Sequence, residues 1–315
     1  MHFQYFDQQK NSEAISFYKR ATKNNPTLMS NYYHLCLALL LQGEESEAEN
    51  IWLSVIEKAN IEQVNLWTAE LNEILKTEAS KREAASDLDL AQKLRYYTNV
   101  ADDLASNESW KKKKGYTFIT DWFSGNIPIW EKYLSHLANK PNLNFLEIGS
   151  WEGMSACWLL DNILTHESST ITCIDTFEGE PKVEYDDKEI KYVEKSLESL
   201  EKTFDFNIAK TGTSKKVTKI VGRSQNIMRS LPLNNYNMLY VDGSHLASDV
   251  LTDAIMGWEL VKVGGLIIFD DYSFTFPNES GQNTQIGIDA FLRAFDNKIS
   301  VVYEADQFLV TKTSF

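Results

Sequence analysis

Glycine and proline are almost missing from the first hundred residues, where Gly43 and Pro26 stand alone. So few chain-breakers leave no room for a turn-rich β architecture and point to long helices. Cysteine is scarce too. Cys36, Cys157 and Cys173 are odd in number, far apart and set in apolar sequence, which excludes a disulfide framework and zinc-site spacing. Such thiols suit a reducing compartment, and a cytoplasmic protein is expected. Positive charge is short: 31 Lys and Arg against 45 Asp and Glu leave a net charge of -14. A chain without a basic face is a poor match for a phosphate backbone, so no nucleic-acid partner is expected. The single basic cluster, Lys111 to Lys114, reads as part of a solvated hinge. Long apolar runs are lacking as well. The longest, Leu35 to Leu41, is far short of the ~20 residues that span a membrane, and the opening MHFQYFDQQKN has no apolar core behind a basic start. No membrane partner and no signal peptide are expected.

What is present falls into two halves. In residues 1–105, rich in Ala, Leu, Glu and Lys, apolar positions recur three and four apart, the period of an amphipathic helix. Ala14, Tyr18 and Ala21 recur 34 residues later as Ala48, Trp52 and Val55. Pro26 closes the first unit and Gly43 marks the turn of the second. This pattern resembles the tetratricopeptide repeat, which implies paired helices and a surface for a protein partner. Residues 61–105 stay helical without the pattern, as a capping segment would. If Pro26 ends a repeat, that repeat begins upstream of Met1. The expectation is then either a piece of a longer repeat protein or a helix that packs on another chain. A helical prop for the second half is the plainer alternative.

After a linker expected at 106–116, residues 117–315 read differently. NFLEIG, TITCID, KVTKIVG, NMLYVDG and GGLIIFDD are short β-branched and aromatic runs separated by segments of helical length. Strands alternating with helices predict an α/β fold: a Rossmann-like, doubly wound, mostly parallel sheet. The tail holds two further strand-like runs with no helix between them, which predicts an antiparallel C-terminal hairpin. The aromatic stretch from Tyr116 to Trp130 is a candidate lid or simple packing between the halves. The acidic insertion Glu178 to Tyr192 takes no assigned role.

In such sheets ligands bind beyond the carboxyl ends of the strands, where strand order reverses. The residues expected there are Glu147, Gly149, Ser150, Gly153 and Ser155 after the first strand and Asp175 and Thr176 after the second. Ser224 follows the third, Asp242 and His245 the fourth, and Asp270 and Asp271 the fifth. Three residues separate Gly149 from Gly153, with Trp151 in the middle, so the dinucleotide fingerprint G-x-G-x-x-G is absent, as is a P-loop. An acid two residues before the first glycine would repel a pyrophosphate and suits a ligand carrying positive charge. Asp175, 26 residues past Gly149, is placed to accept from ribose hydroxyls.

FLEIGSWEGMS, CIDTF, YVDGSH and LVKVGGLIIFDDY together resemble the class I S-adenosylmethionine-dependent methyltransferases. Within that class they are most similar to the macrocin O-methyltransferases and other metal-dependent O-methyltransferases, over roughly residues 115–315. The resemblance implies that Glu147, Gly149, Ser150, Gly153 and Ser155 line the amino-acid half of S-adenosylmethionine, with Asp175 and Thr176 at its ribose. It puts Ser224 beside the adenine and Asp242 near the cofactor. For Ser155 and Ser224 helix capping is an equal alternative.

Asp242, Asp270 and Asp271 end neighbouring predicted strands, so three carboxylates should converge. Oxygen ligands of this kind suit Mg2+ or another hard divalent ion, and the resemblance assigns a metal to these positions. The plainer alternative has one aspartate capping a segment and the other facing water. His245 is the expected general base, with capping or adenine stacking as alternatives. The macrocin pattern carries an acid where this chain has Ser244. The expected reaction is methylation of a hydroxyl on a small molecule or on a carrier- or peptide-bound acceptor. Two alternatives stay open: a metal-free N- or C-methyltransferase, and a repeat protein whose methyltransferase-like half is inactive. A homo-oligomer is compatible with all three.

Overall fold

A computed structural model of the chain describes residues 2–179, 189–276 and 280–315. Most of the acidic insertion, residues 180–188, therefore lies outside the described residues. The chain divides into two compact units, residues 1–115 and 116–315.

The first unit is all helix: α1 (His2–Asn24), α2 (Met29–Gln42), α3 (Glu45–Ile56), α4 (Ile61–Ala84) and α5 (Leu88–Lys114). Gly43, at φ +90, ends α2 in the left-handed region, where an L side chain is penalised. Asn60 opens α4 with a reciprocal capping box, its side chain accepting from Gln63 N–H at 2.9 Å. Ala14 and Tyr18 on α1 and Ala48 and Trp52 on α3 pack on one cluster with Leu35, Leu39, Leu71, Leu75 and Leu94. α4 and α5 are long and pair as a hairpin. The expected linker at 106–116 is largely helical, because α5 runs unbroken to Lys114. Its lysines are not a solvated hinge. Lys111 pairs with the buried Glu108, Lys112 donates to the Glu57 carbonyl at 2.7 Å, and four cations in a last turn complement the helix dipole.

The second unit is built on seven strands: β1 (Asn144–Ile148), β2 (Thr170–Asp175), β3 (Val217–Val221), β4 (Tyr236–Val241), β5 (Val261–Phe269), β6 (Ile299–Glu304) and β7 (Phe308–Lys312). Their order is β3-β2-β1-β4-β5-β7-β6. The first five pair in parallel, and β7 runs antiparallel to both neighbours, so the tail hairpin closes the sheet as the sequence predicts. β1 and β4 are buried along nearly their whole length, which is why they read as continuous apolar runs rather than alternating ones. Flanking helices include α6 (Ile127–Leu134), α7 (Met154–Asn162), α8 (Glu189–Leu197), α9 (Leu200–Lys210), α10 (Ser224–Ile227), α11 (Ala247–Leu260) and α12 (Thr284–Ala294). The three cysteines are buried, as their apolar context predicts. Among the described residues no helix is long and apolar enough to cross a membrane.

Candidate active site

Strand order reverses between β1 and β4, and a cavity of about 860 Å³ opens beyond their carboxyl ends. The fold thus brings to one rim residues separated by more than a hundred positions. Gly149, Ser150, Ser155, Asp175, Thr176, Ser224, Asp242, His245, Asp270 and Asp271 all border it.

The glycine loop is shaped by its neighbours. Gly149 has φ +83, and its amide donates to the Ile174 carbonyl at 2.9 Å. A Cβ there would sit 1.8 Å from the Asp242 carbonyl oxygen, so only glycine lets β1 and β4 run this close. Asp175 accepts from the amides of Ser150 (2.7 Å), Trp151 (2.8 Å) and Phe177 (2.6 Å). It therefore holds the loop as well as facing the cavity. A carboxylate has about four acceptor positions, which leaves one for a ligand.

Two residues expected at the cofactor lie elsewhere. Glu147 is fully buried beneath the loop, accepting from the hydroxyls of Ser150 (2.7 Å) and Ser155 (2.5 Å). Burial pushes its carboxyl above the ordinary range. It positions two serines and forms no part of the cavity wall. Gly153 starts α7 from the left-handed region, and a Cβ on it would meet the Phe204 ring at 2.9 Å, so its role is packing against α9.

Ser224 borders the cavity, but its hydroxyl donates to Asp253 of α11 at 2.7 Å. Burial, foremost, pushes the Asp253 carboxyl up to about 7, from 3.8. Between those values the folded chain holds a proton that the unfolded chain has released, so stability falls as pH rises through the interval. At about 1.4 kcal/mol per pKa unit the penalty at pH 8 amounts to a few kcal/mol. Asp253→Asn should therefore raise the melting temperature at pH 8 and leave it unchanged near pH 4. Thermal melts at the two pH values check this, and a gain of equal size at both would refute it.

One residue escaped sequence reasoning. Glu152 lies inside the glycine loop and is buried. Its Oε2 accepts from the amides of Ile119 (2.8 Å) and Thr120 (3.1 Å), and its Oε1 from Ser196 (2.8 Å). It ties the aromatic stretch to the loop, and only a buried acid between two glycines hinted at it. That stretch divides: Thr120, Trp122 and Phe123 border the cavity, whereas Trp130 is buried, donating to Gln307 at 3.0 Å.

The adjacent aspartates after β5 diverge. Asp270 turns inward, its Oδ2 accepting from Gln307 (2.9 Å), Asn126 (3.1 Å) and the Tyr240 hydroxyl, and its Oδ1 from the Asp271 amide (2.9 Å). Burial and then Asp271 push it up to about 6. Asp271, at φ +55, turns toward His245, whose Nε2 lies 2.8 Å from Oδ2. Burial, reinforced by Asp270 and Asp271, holds Asp242 well above the usual carboxylate range. The expected trio of carboxylates is thus corrected. Ligand atoms of Asp242, His245 and Asp271 lie within 4.8 Å of one another, while Asp270 is occupied by core donors. His245 is also less free than a general base should be, with Nε2 engaged and Nδ1 closed to solvent without a partner.

Residues 146–272, from β1 to just past β5, match the family model described as a methyltransferase domain. The match lies wholly within the second unit, and the enzyme is a methyltransferase. No curated protein matches the chain. Among solved structures, the O-methyltransferase NovP is 21% identical with a TM-score of 0.45, covering 60% of this chain and 79% of its own. TomG, an O-methyltransferase of Streptomyces achromogenes in complex with SAM, is 15% identical with a TM-score of 0.44, covering 67% and 90%. A Bacillus cereus O-methyltransferase in complex with SAH is 13% identical with a TM-score of 0.42, covering 67% and 91%.

Proposed function

We propose that the second unit methylates a hydroxyl oxygen, with S-adenosylmethionine in the β1–β4 cavity and a divalent cation at its acidic rim. The supporting observation is one cavity bordered both by the glycine loop and by Asp242, His245 and Asp271. The loop fits the cofactor: Gly149 and Ser150 border the cavity, and Asp175 keeps one acceptor position for a ribose hydroxyl. Ser150, Thr176 and Ser224 border the same space. When bound, S-adenosylmethionine supplies a methyl group on a sulfonium. A hard cation would lower the pKa of the acceptor hydroxyl and screen the aspartates. Asp242 borders the same space and would take the hydroxyl proton. Asp271 holds the His245 ring through Nε2, and Trp122 and Phe123 narrow the opening to water.

The acceptor is a small molecule or a carrier- or peptide-bound group. In the same reading the helical unit is a short tetratricopeptide-like array that recruits a protein partner or the acceptor's carrier. The common packing of Ala14, Tyr18, Ala48 and Trp52 at their 34-residue spacing supports it. The three buried thiols suit the cytoplasm, and a homo-oligomer is compatible.

The test is a screen of hydroxylated acceptors with labelled S-adenosylmethionine, run before and after exhaustive chelation. Chelated protein should lose at least about tenfold in rate and recover it on adding a divalent salt. Full activity in chelator would leave Asp242 and Asp271 as a metal-free acid–base pair, and cofactor binding with no turnover of any hydroxylated acceptor would favour N- or C-methylation. Failure to bind S-adenosylhomocysteine in a calorimeter would overturn the enzyme reading and leave a partner-binding protein.

A further inference from the structure

Glu152 is only 1% exposed, although the loop that carries it borders the cavity. A buried carboxylate is costly unless hydrogen bonds replace its water. Three of the four that this side chain accepts come from the aromatic stretch. Besides the Ile119 and Thr120 amides, Oε2 accepts from the Thr120 hydroxyl at 3.3 Å. That hydroxyl in turn accepts from the Trp151 indole at 2.7 Å. Two consecutive loop residues thus grip the same threonine, and the indole is oriented through it. Trp151 needs the hold. At φ +46 it is a bulky residue in the left-handed region, where strain persists only if the surroundings fix it. Its amide is fixed by Asp175 and its ring by Thr120. The Trp122 ring lies next to it, with centroids 5.1 Å apart. Asn207 of α9 clamps the same two segments independently, bonding both backbone groups of Thr117 at 2.8 Å and the Glu152 carbonyl at 2.9 Å. Thr120, Trp122, Phe123 and Trp151 all border the cavity.

We infer that Glu152 is a positioning residue for the cofactor: through Thr120 it orients the Trp151 indole and holds residues 119–123 as a fixed wall of the cavity. The stretch is then a strap set before the ligand arrives, not a lid that closes on it. Ordering loose side chains on binding costs affinity, so rings held in advance strengthen it. The inference rests on the reading that S-adenosylmethionine occupies this cavity, and it names the residue that shapes one wall.

The full chain and its Glu152→Ala, Glu152→Gln and Thr120→Val variants are titrated calorimetrically with S-adenosylhomocysteine. Amide hydrogen exchange is followed over residues 117–123. In the parent, exchange at Ile119 and Thr120 should already be slow before ligand is added. Protection that arises only with ligand marks a closing lid and overturns the inference. Glu152→Ala should speed exchange and weaken binding at least about tenfold. In Glu152→Gln the side-chain oxygen still serves the two backbone donors, and the Ser196 hydroxyl can turn to accept from the new NH2. Binding should therefore return to within about threefold of the parent. Thr120→Val keeps the backbone bonds and cuts the link to Trp151, so it should weaken binding at least about threefold. Faster exchange and a lower melting temperature in Glu152→Ala, with affinity unchanged, would leave Glu152 a purely structural residue and overturn the inference. Should Glu152→Ala fail to fold, Thr120→Val decides, and unchanged affinity there overturns it too. A parent that binds no S-adenosylhomocysteine overturns the cofactor reading, and this inference with it.

Discussion

Gly149→Ala is expected to abolish cofactor binding and to lower the melting temperature of the second unit by roughly 10 °C or more. Two costs combine. At φ +83 an alanine is strained by about 1–2 kcal/mol. The added Cβ would also stand 1.8 Å from the Asp242 carbonyl oxygen and 2.4 Å from its carbon. Both are backbone atoms of Asp242, directly after β4, and cannot swing aside as a side chain can. Relief requires β1 and β4 to separate, and that pair is the floor of the cavity. Gly264→Ala is the control. It has φ +84, and a Cβ there meets nothing within 4 Å, so it should lose only the strain, about 1 kcal/mol. Calorimetry with S-adenosylhomocysteine and thermal melts on both variants read the difference. Equal losses would show that backbone strain alone matters and that the strand approach does not.

Asp242→Asn should move function and stability in opposite directions. Asp242 lies beside Asp270 and Asp271, and burial with their charge drives its pKa well above the ordinary value. Above that raised value the folded protein carries a penalty that the unfolded chain lacks, since the folded state would otherwise keep the proton. A neutral amide of the same shape removes it. The variant should melt several degrees higher at pH 8, by about 2–4 °C per kcal/mol for a unit of this size. The gain should disappear below about pH 3, where the carboxyl is protonated in both states. Divalent-ion affinity should fall on the order of a hundredfold, the loss of a direct ligand being at least that of an outer-shell partner. A lower melting temperature at pH 8 would show that Asp242 is stabilised by groups other than those described here. Unchanged ion affinity would remove it from the cation site.

Both predictions turn on residues visible from the sequence, yet their effects come from neighbours that were not. Gly149 is recognisable as a loop glycine after an apolar strand, but the atom it must avoid lies on the loop after β4, brought alongside by the strand order. Asp270 and Asp271 are equivalent in sequence. Their difference comes from Tyr240 on β4, Gln307 just before β7 and Asn126 before α6, which claim one carboxylate, and from the left-handed turn that delivers the other to His245. Glu147 likewise reads as a binding acid until two serine hydroxyls are found on it.

The sequence by itself determined the fold of the second unit, the helical character of the first, and the strand ends at which acids and glycines gather. These follow from periodicity and local backbone preference, which act between near neighbours and are written in consecutive residues. Only the tertiary structure decided which oxygens and nitrogens at that rim remain open to a ligand. That depends on hydrogen-bond saturation by donors up to 144 residues away, and a polar group is satisfied in space, not along the chain.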